Sequence, residues 1–367
     1  MARTAASQPQ EAGPESDRFE DMPHPRDSYS FFGHAEAEKN LLLSYMSGHL
    51  PHAIIIGGPA GTGKATLAWR LARFLLANPD PAAVEAEAGL FVPPAHSVSR
   101  QISAMAHPDL ILLRREWNPE TKRHFVQIQI EDIRRAIHMF QQAAGRGGYR
   151  ICILDCAEDL NQSSANALLK LIEEPPPASL FLIIAHRPAR VLPTLRSRCQ
   201  KISFKPLSAL AIRDIVAALG PPWSISSPDD ARLRSVIARA QGSIHNVLRL
   251  LDPQGHELDV ELGLMLDNLP QIDWSGVHAL ADRIAARNPS HDFETMLAMI
   301  EDWLDARVWH GARTLQGPSA ELLAPYALVW EKLGEAARET EVLNLDKRSF
   351  VLSLFTDLAA AVAASSS

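Results

Sequence analysis

Gly58-Pro59-Ala60-Gly61-Thr62-Gly63-Lys64-Ala65 is the densest concentration of chemistry in the chain. It follows an apolar run at 54–56 and opens a segment whose apolar residues Leu67, Leu71, Phe74 and Leu75 recur at helical spacing. In a strand–loop–helix of this kind, glycines let backbone N–H groups converge on phosphate oxygens. The helix N-terminus adds its dipole and Lys64 a point charge. The pattern predicts a phosphate-binding loop with Gly58, Gly61, Gly63, Lys64 and Thr66 as a degenerate nucleotide-binding set. One position departs from a working site. A Ser or Thr should follow the lysine to hold Mg²⁺, and Ala65 stands there. Thr66 does not take over that role, because the next helical residue points about 100° away.

Ile151-Cys152-Ile153-Leu154-Asp155-Cys156 is an apolar run ending in an acid. Asp155 is in place for the metal side of a nucleotide site, while Cys156 stands where a water-activating carboxylate would follow. A thiol with an ordinary pKa near 8.5 is mostly neutral at pH 7 and is a poor general base. A packed structural thiol is the favoured reading over a nucleophile, with no His or Asn beside it in sequence. Two further segments carry little alone. Asn166-Ala167-Leu168-Leu169-Lys170-Leu171-Ile172-Glu173-Glu174-Pro175-Pro176 has the periodicity of an amphipathic helix stopped by prolines. Ser197-Arg198-Cys199 on its own reads as a solvated arginine at a strand edge.

The elements that must hold these residues alternate short apolar runs with amphipathic helices over 29–205, which predicts an α/β domain with a parallel sheet. The candidate strands are 53–56, 110–113, 125–130, 151–154 and 180–185. Four are continuously apolar, as strands covered on both faces are; 125–130 alternates, as an edge or hairpin strand does. Three short helices are predicted at 209–219, 229–240 and 243–251, with Ser243 as an N-cap. Beyond Pro253 every segment has helical periodicity, with stripes such as Leu297, Ile300, Trp303, Leu304 and Val308, and a last helix over 346–362. The large apolar groups Trp303, Trp309, Trp330 and Phe350 on those stripes are expected either in an assembly surface or in the bundle core. Residues 1–28, rich in Pro, Ser, Ala and acid, predict a disordered tail.

The 367 residues suit two or three domains. A formal charge of −7, from 36 basic and 43 acidic residues, argues against a dedicated nucleic-acid binder but not against a subunit that meets DNA within an assembly. Three cysteines, two in strand-like runs, predict a reduced cytoplasmic protein without a disulfide framework. No continuous apolar run reaches the roughly 18 residues of a membrane span. The acids Glu11, Glu15, Asp17, Glu20 and Asp21 read against a signal peptide.

In their order along the chain, the phosphate loop, the acidic strand, the Asn-Ala-Leu-Leu-Lys helix ending in Glu-Glu-Pro-Pro and Ser-Arg-Cys resemble the AAA+ module of the bacterial DNA polymerase III clamp-loader family. By motif the resemblance covers roughly 29–250. It implies an AAA+ P-loop domain over 29–205, a small helical lid over 206–252 and an all-helical collar over 253–367. It also implies that Arg198 acts as a catalytic arginine finger on a neighbouring subunit. Hydrolysing members of the family carry Ser or Thr after the lysine, Glu after the strand-end Asp, and Gly-Ser-x-Arg in the lid. Here those positions read Ala65, Cys156 and His245, and Ala185-His186 stands where a hydroxyl residue is expected at the sensor position.

The resemblance therefore implies a non-catalytic, stator-like subunit that helps load the sliding clamp onto primed DNA during DNA replication. Such a chain has no ATPase of its own, although it is part of a DNA-directed DNA polymerase, a nucleotidyltransferase. The implied partners are gamma/tau-type and delta-type subunits, the sliding clamp and primed DNA, in a cytoplasmic hetero-oligomer with no membrane role. No cofactor is required, and ATP or ADP is expected to bind weakly without efficient hydrolysis. Many relatives carry a four-cysteine zinc module between the P-loop and the acidic strand. Residues 66–150 hold no cysteine, and His96, His107, His124 and His138 lack metal-ligand spacing, so no metal is expected and 79–106 is a zinc-free insertion. Two other readings compete: a competent ATPase, which ATP turnover would reveal, and a different P-loop protein such as a small-molecule kinase, which would need a substrate pocket.

Overall fold

The structure, a computed structural model, describes all residues except 1–13, 20–21, 85–88, 143–147, 222, 224–230, 287–289, 315–319, 343–344 and 366–367. The chain divides into two compact units, Met1–Val247 and Leu248–Ser367.

The first unit begins with a 3-10 turn (Pro25–Asp27), followed by α1 (Ala35–Met46), β1 (Ala53–Gly57), α2 (Lys64–Ala77) and α3 (Ser97–Ser103). Next come β2 (Leu110–Leu113), β3 (Trp117–Asn118), β4 (Arg123–His124), α4 (Ile130–Gln141) and β5 (Arg150–Leu154). A 3-10 turn (Ala157–Asp159) leads to α5 (Gln162–Glu173), β6 (Ser179–Ala185), α6 (Pro193–Arg196) and β7 (Gln200–Ser203). The lid helices are α7 (Ala209–Leu219), α8 (Ala231–Arg239) and α9 (Ile244–Leu251), and the division between units falls inside α9.

Five strands form one parallel sheet in the order β2-β5-β6-β1-β7. The central strands β1, β5 and β6 are buried along their whole length, which is why they read as unbroken apolar runs. On one face Ile54, Ile56, Ile151, Ile153, Leu182 and Ile184 pack against α1 and α2; on the other Ile55, Cys152, Leu154, Phe181 and Ile183 pack against α4 and α5. Each fully buried Ile or Leu contributes about 1.5–3 kcal/mol of transfer free energy. The 79–106 insertion joins the first layer through Leu90, Val92, Val98 and Ile102.

Two sequence expectations are corrected. No strand forms over 125–130. The hairpin strand is Arg123–His124, paired with Trp117–Asn118, and a helix begins at Ile130. Asp132 Oδ2 accepts from Gln129 N at 3.3 Å, and Ile133, Ala136 and Phe140 bury one helical face, so the 3.6-residue period wins over the short alternation. Residues 14–28 are not a disordered tail in their described part. They dock on the P-loop domain through ion pairs and the turn Pro25–Asp27, while 1–13 and 20–21 lie outside the described residues. The edge strand β7 was not anticipated; it pairs with β1 rather than with its sequence neighbour β6.

The second unit holds α10 (Pro253–Asp267), α11 (Trp274–Ala285), α12 (Ser290–Thr314), α13 (Ala320–Val342) and α14 (Lys347–Ser365) around one core of Leu, Ile, Val, Met and Phe. Trp303, Trp330 and Phe350 pack partly buried against that core. The side chain of Trp309 lies outside the described residues. By length and composition α14 is apolar enough to cross a membrane, but Val351, Leu354, Phe355 and Leu358 build it into this core.

Candidate nucleotide site and arginine finger

The carboxyl ends of adjacent parallel strands gather the site, as the topology of open α/β sheets requires. β1 delivers the P-loop after Gly57, β6 delivers His186 after Ala185, and β5 delivers Asp155 after Leu154. Gly58 N donates to Ala185 O at 3.1 Å, tying the loop to the sensor strand. Gly61 adopts φ +69°, and a Cβ there would stand 2.4 Å from Ser243 Oγ and 2.8 Å from His245 N. That contact, with Ile244 N donating to Gly61 O at 2.9 Å, seats the start of α9 on the loop. His245 is thereby brought to the P-loop, where the family's lid arginine would be.

Lys64 is buried at 3 % exposure and folds back on its own loop, with Nζ donating to Gly58 O at 2.7 Å and also to Pro59 O. Burial pulls its ammonium down to about 8, against the attraction of Asp155 and Glu158. Burial likewise pushes the Asp155 carboxyl up to about 8; Asp17, Asp159 and Glu158 add to this and Lys64 opposes it. The Cys156 thiol is pushed well above its ordinary value by burial and by the carboxylates of Asp159, Glu158 and Asp155. It is a neutral thiol and supplies no base. At the end of β6, burial first and then the positive charges of Lys64, His245 and Arg187 hold the His186 imidazole well below the usual range.

These residues do not fit a Mg²⁺–nucleotide. Ala65 turns its methyl toward the α1–α2 core instead of offering a hydroxyl, and Asp155 sits where its charged form is disfavoured. Thr66 lies one residue further along the first turn of α2, half-buried. Glu158 was missed from sequence. It lies three residues past Asp155 in the Ala157–Asp159 turn, where Arg187 N donates to its Oε1. Among the described residues no group of three or more His, Cys, Asp or Glu could hold a metal ion.

Arg198 is placed elsewhere. It follows α6, with Leu195 and Cys199 buried on either side as anchors. Its Nε donates to Glu173 Oε1 at 2.6 Å, and its Nη1 to Thr194 O at 2.9 Å and Ser197 Oγ at 3.3 Å. The β1–β7 register pairs Ile54 with Gln200 and Gly57 with Ser203. Arg198 therefore enters at the amino-terminal edge of the sheet, about 10 Å or more along the strands from the end that carries its own P-loop.

A P-loop and a strand-end acid at the carboxyl edge of a parallel sheet, with the start of α9 seated on the loop, define a P-loop module of the nucleotide-binding type, with Ala65, Cys156 and His245 around its loop. Residues 33–208 match the family model described as "DNA polymerase III, delta subunit". The chain is 35 % identical to the DNA polymerase III subunit delta′ of Pseudomonas aeruginosa over 169 residues, 46 % of this chain and 48 % of that one. It is 30 % identical to the subunit delta′ of Escherichia coli over 163 residues, 44 % of this chain and 45 % of that one. It is also 30 % identical to the subunit gamma/tau of Mycobacterium tuberculosis over 212 residues, 58 % of this chain and 34 % of that one. The chain thus spans about half the length of the delta′ relatives it matches. The similarity to the delta′ subunits of DNA polymerase III thus lies in the P-loop region.

Proposed function

We propose that this chain is a non-catalytic, stator-like subunit of the DNA polymerase III clamp loader. In this role it helps place the sliding clamp on primed DNA while offering Arg198 to a nucleotide held by a neighbouring ATPase subunit. The observation that carries the reading is the position of Arg198. It is exposed at the edge of the sheet opposite its own P-loop, in a chain whose own nucleotide site carries Ala65, Cys156 and His245 in place of a metal-ligating hydroxyl, a water-activating carboxylate and a lid arginine.

The chemistry follows from charge. During phosphoryl transfer, negative charge develops on the γ-phosphoryl oxygens, and a planar guanidinium with five donors answers it better than an ammonium. A guanidinium that cannot reach its own P-loop can do this only across an interface. Partners of the gamma/tau and delta type, the sliding clamp and primed DNA belong to this reading. So do a cytoplasmic location, and assembly as a hetero-oligomer through the helical unit 248–367.

The test is reconstitution with gamma/tau-type and delta-type subunits, followed by size-exclusion chromatography and ATP turnover. The expected result is a stable complex in which the chain alone turns over no ATP and Arg198→Ala lowers turnover of the complex without dissolving it. Failure to co-purify, or clamp loading by the Arg198→Ala complex at the wild-type rate, would overturn it.

A further inference from the structure

The segment before the first helix is tied down at both ends of the nucleotide cleft. Residues 22–28 are fixed to α2: Arg73 donates to the carbonyl oxygens of Arg26 and Ser28 and stacks over Tyr29, and His24 sets its edge against Trp69 at 5.8 Å. Residues 14–19 then cross the carboxyl edge of the sheet. Glu15 accepts from Arg26 at 2.6 and 2.9 Å and from Arg114 at 3.0 Å. Asp17, whose side chain is 1 % exposed, pairs with His24 at 2.9 Å and with Arg114. Ser16 Oγ donates to Arg115 O at 2.8 Å.

Arg114 and Arg115 directly follow β2, whose last residue, Leu113, accepts from Asp155 N at 2.8 Å. These anchors therefore stand at the level of the strand-end acid, near enough that the Asp17 carboxylate opposes ionisation of Asp155. At its far end the segment lays Phe19 flat on His245, with centroids 4.3 Å apart and planes within 9°. His245 is the lid residue that abuts Gly61. One short stretch thus joins the end of β2 to the start of α9, with the P-loop site between.

We infer that residues 14–19 are an intramolecular strap that locks the lid onto the P-loop and thereby excludes nucleoside di- and triphosphates. The anchors are of two kinds, and each has a job. The carboxylates of Glu15 and Asp17 hold the strap to Arg26, His24 and Arg114. Phe19 holds the lid by packing on an imidazole where an arginine would have had to stay free for phosphate. A lid pinned in this way cannot open to admit nucleotide, which suits a subunit that keeps one shape while its neighbours cycle. The inference rests on the P-loop reading of residues 58–64 and not on assembly with other subunits.

The experiment compares the full chain with Phe19→Ala and with a variant lacking residues 2–19. It reads hydrogen exchange at 58–64 and 243–247, and the binding of fluorescent mant-ADP. An offset-stacked ring pair contributes about 0.5–1.5 kcal/mol, so Phe19→Ala is expected to speed exchange at both segments and tighten mant-ADP binding by about 2- to 10-fold. The deletion, which also removes the Glu15 and Asp17 anchors, should exceed that. Adding Lys64→Ala to either variant should abolish the gained affinity; its persistence would place the ligand elsewhere and refute the P-loop reading as well. Unchanged exchange, or faster exchange with no gain in mant-ADP affinity in either variant, would overturn the strap while leaving the clamp-loader reading untouched. So would wild-type chain binding mant-ADP as tightly as the deletion.

Discussion

Arg198 Nε lies 2.6 Å from Glu173 Oε1, joining the Ser-Arg-Cys segment to the last residue of α5. Both side chains are about two-fifths exposed, at 41 % and 43 %, so water screens the pair and its contribution to stability is under about 1 kcal/mol. A contact this weak orients the guanidinium without trapping it. Phosphate oxygens presented by a neighbour in a closed, drier interface would displace the carboxylate.

For Arg198→Ala this implies a separation of effects. The unfolding free energy of the isolated chain should change by less than about 1 kcal/mol in chemical denaturation. Turnover at the neighbouring site of a reconstituted complex should fall on the order of 10³-fold, the lower end for a finger supplied in trans. A large loss of stability with little loss of turnover would reverse the assignment.

ATP turnover by the isolated chain should lie far below about 1 s⁻¹, the lower end for working phosphoryl-transfer enzymes. On the proposed reading, Ala65→Thr alone should not restore it, because Cys156 and His245 would still stand where a water-activating carboxylate and a lid arginine are needed. A coupled phosphate-release assay reads both. Turnover that Lys64→Ala abolishes would mean a working site.

Gly61→Ala should unseat the lid. The backbone at φ +69° already disfavours a side chain, and a Cβ would meet Ser243 Oγ at 2.4 Å. Strain of this kind costs about 1–3 kcal/mol, to be read as a lower denaturation midpoint with faster hydrogen exchange at 243–247. A variant as stable as wild type would show that the loop and α9 are not in contact in solution.

Asp17→Asn tests the anchoring of the N-terminal segment through pH. Burial alone would raise the Asp17 carboxyl, but the His24 hydrogen bond and the charges of His24 and Arg114 outweigh it and hold it below its ordinary value. The stabilisation is therefore fully present above the unfolded value, about 4, and is lost as pH falls through the lower folded value. Wild type should exceed the variant by on the order of 1–3 kcal/mol at pH 7, and the gap should close below about pH 4. A gap that widens in acid contradicts the pairing.

Removing residues 254–367 should abolish co-purification with partner subunits while the P-loop unit keeps its own cores. Circular dichroism checks the fold and a pull-down checks assembly; a truncated chain that still assembles would move the interface to the P-loop unit.

Much of the site was legible because it is local. The run from Ile54 to Lys64 carries its strand, its glycines and its helix start within a dozen residues, and Asp155 ends a strand buried enough to read as unbroken apolar sequence. Ala65 was visible for the same reason, whereas the expectations for Cys156 and His245 came from the resemblance to clamp-loader subunits. The 125–130 stretch misled because a six-residue alternation carries less information than the helical face that Ile133, Ala136 and Phe140 complete further on.

What no local pattern held was decided by the sheet and by long-range pairs. β7 crosses to β1, and only that register puts Arg198 at the edge away from its own P-loop. The acids of 14–19 looked like a solvated tail because their partners at Arg114 lie 97 and 99 residues away. Composition reports how polar a segment is, whereas whether its charges are solvated or paired depends on what the folded chain brings beside them.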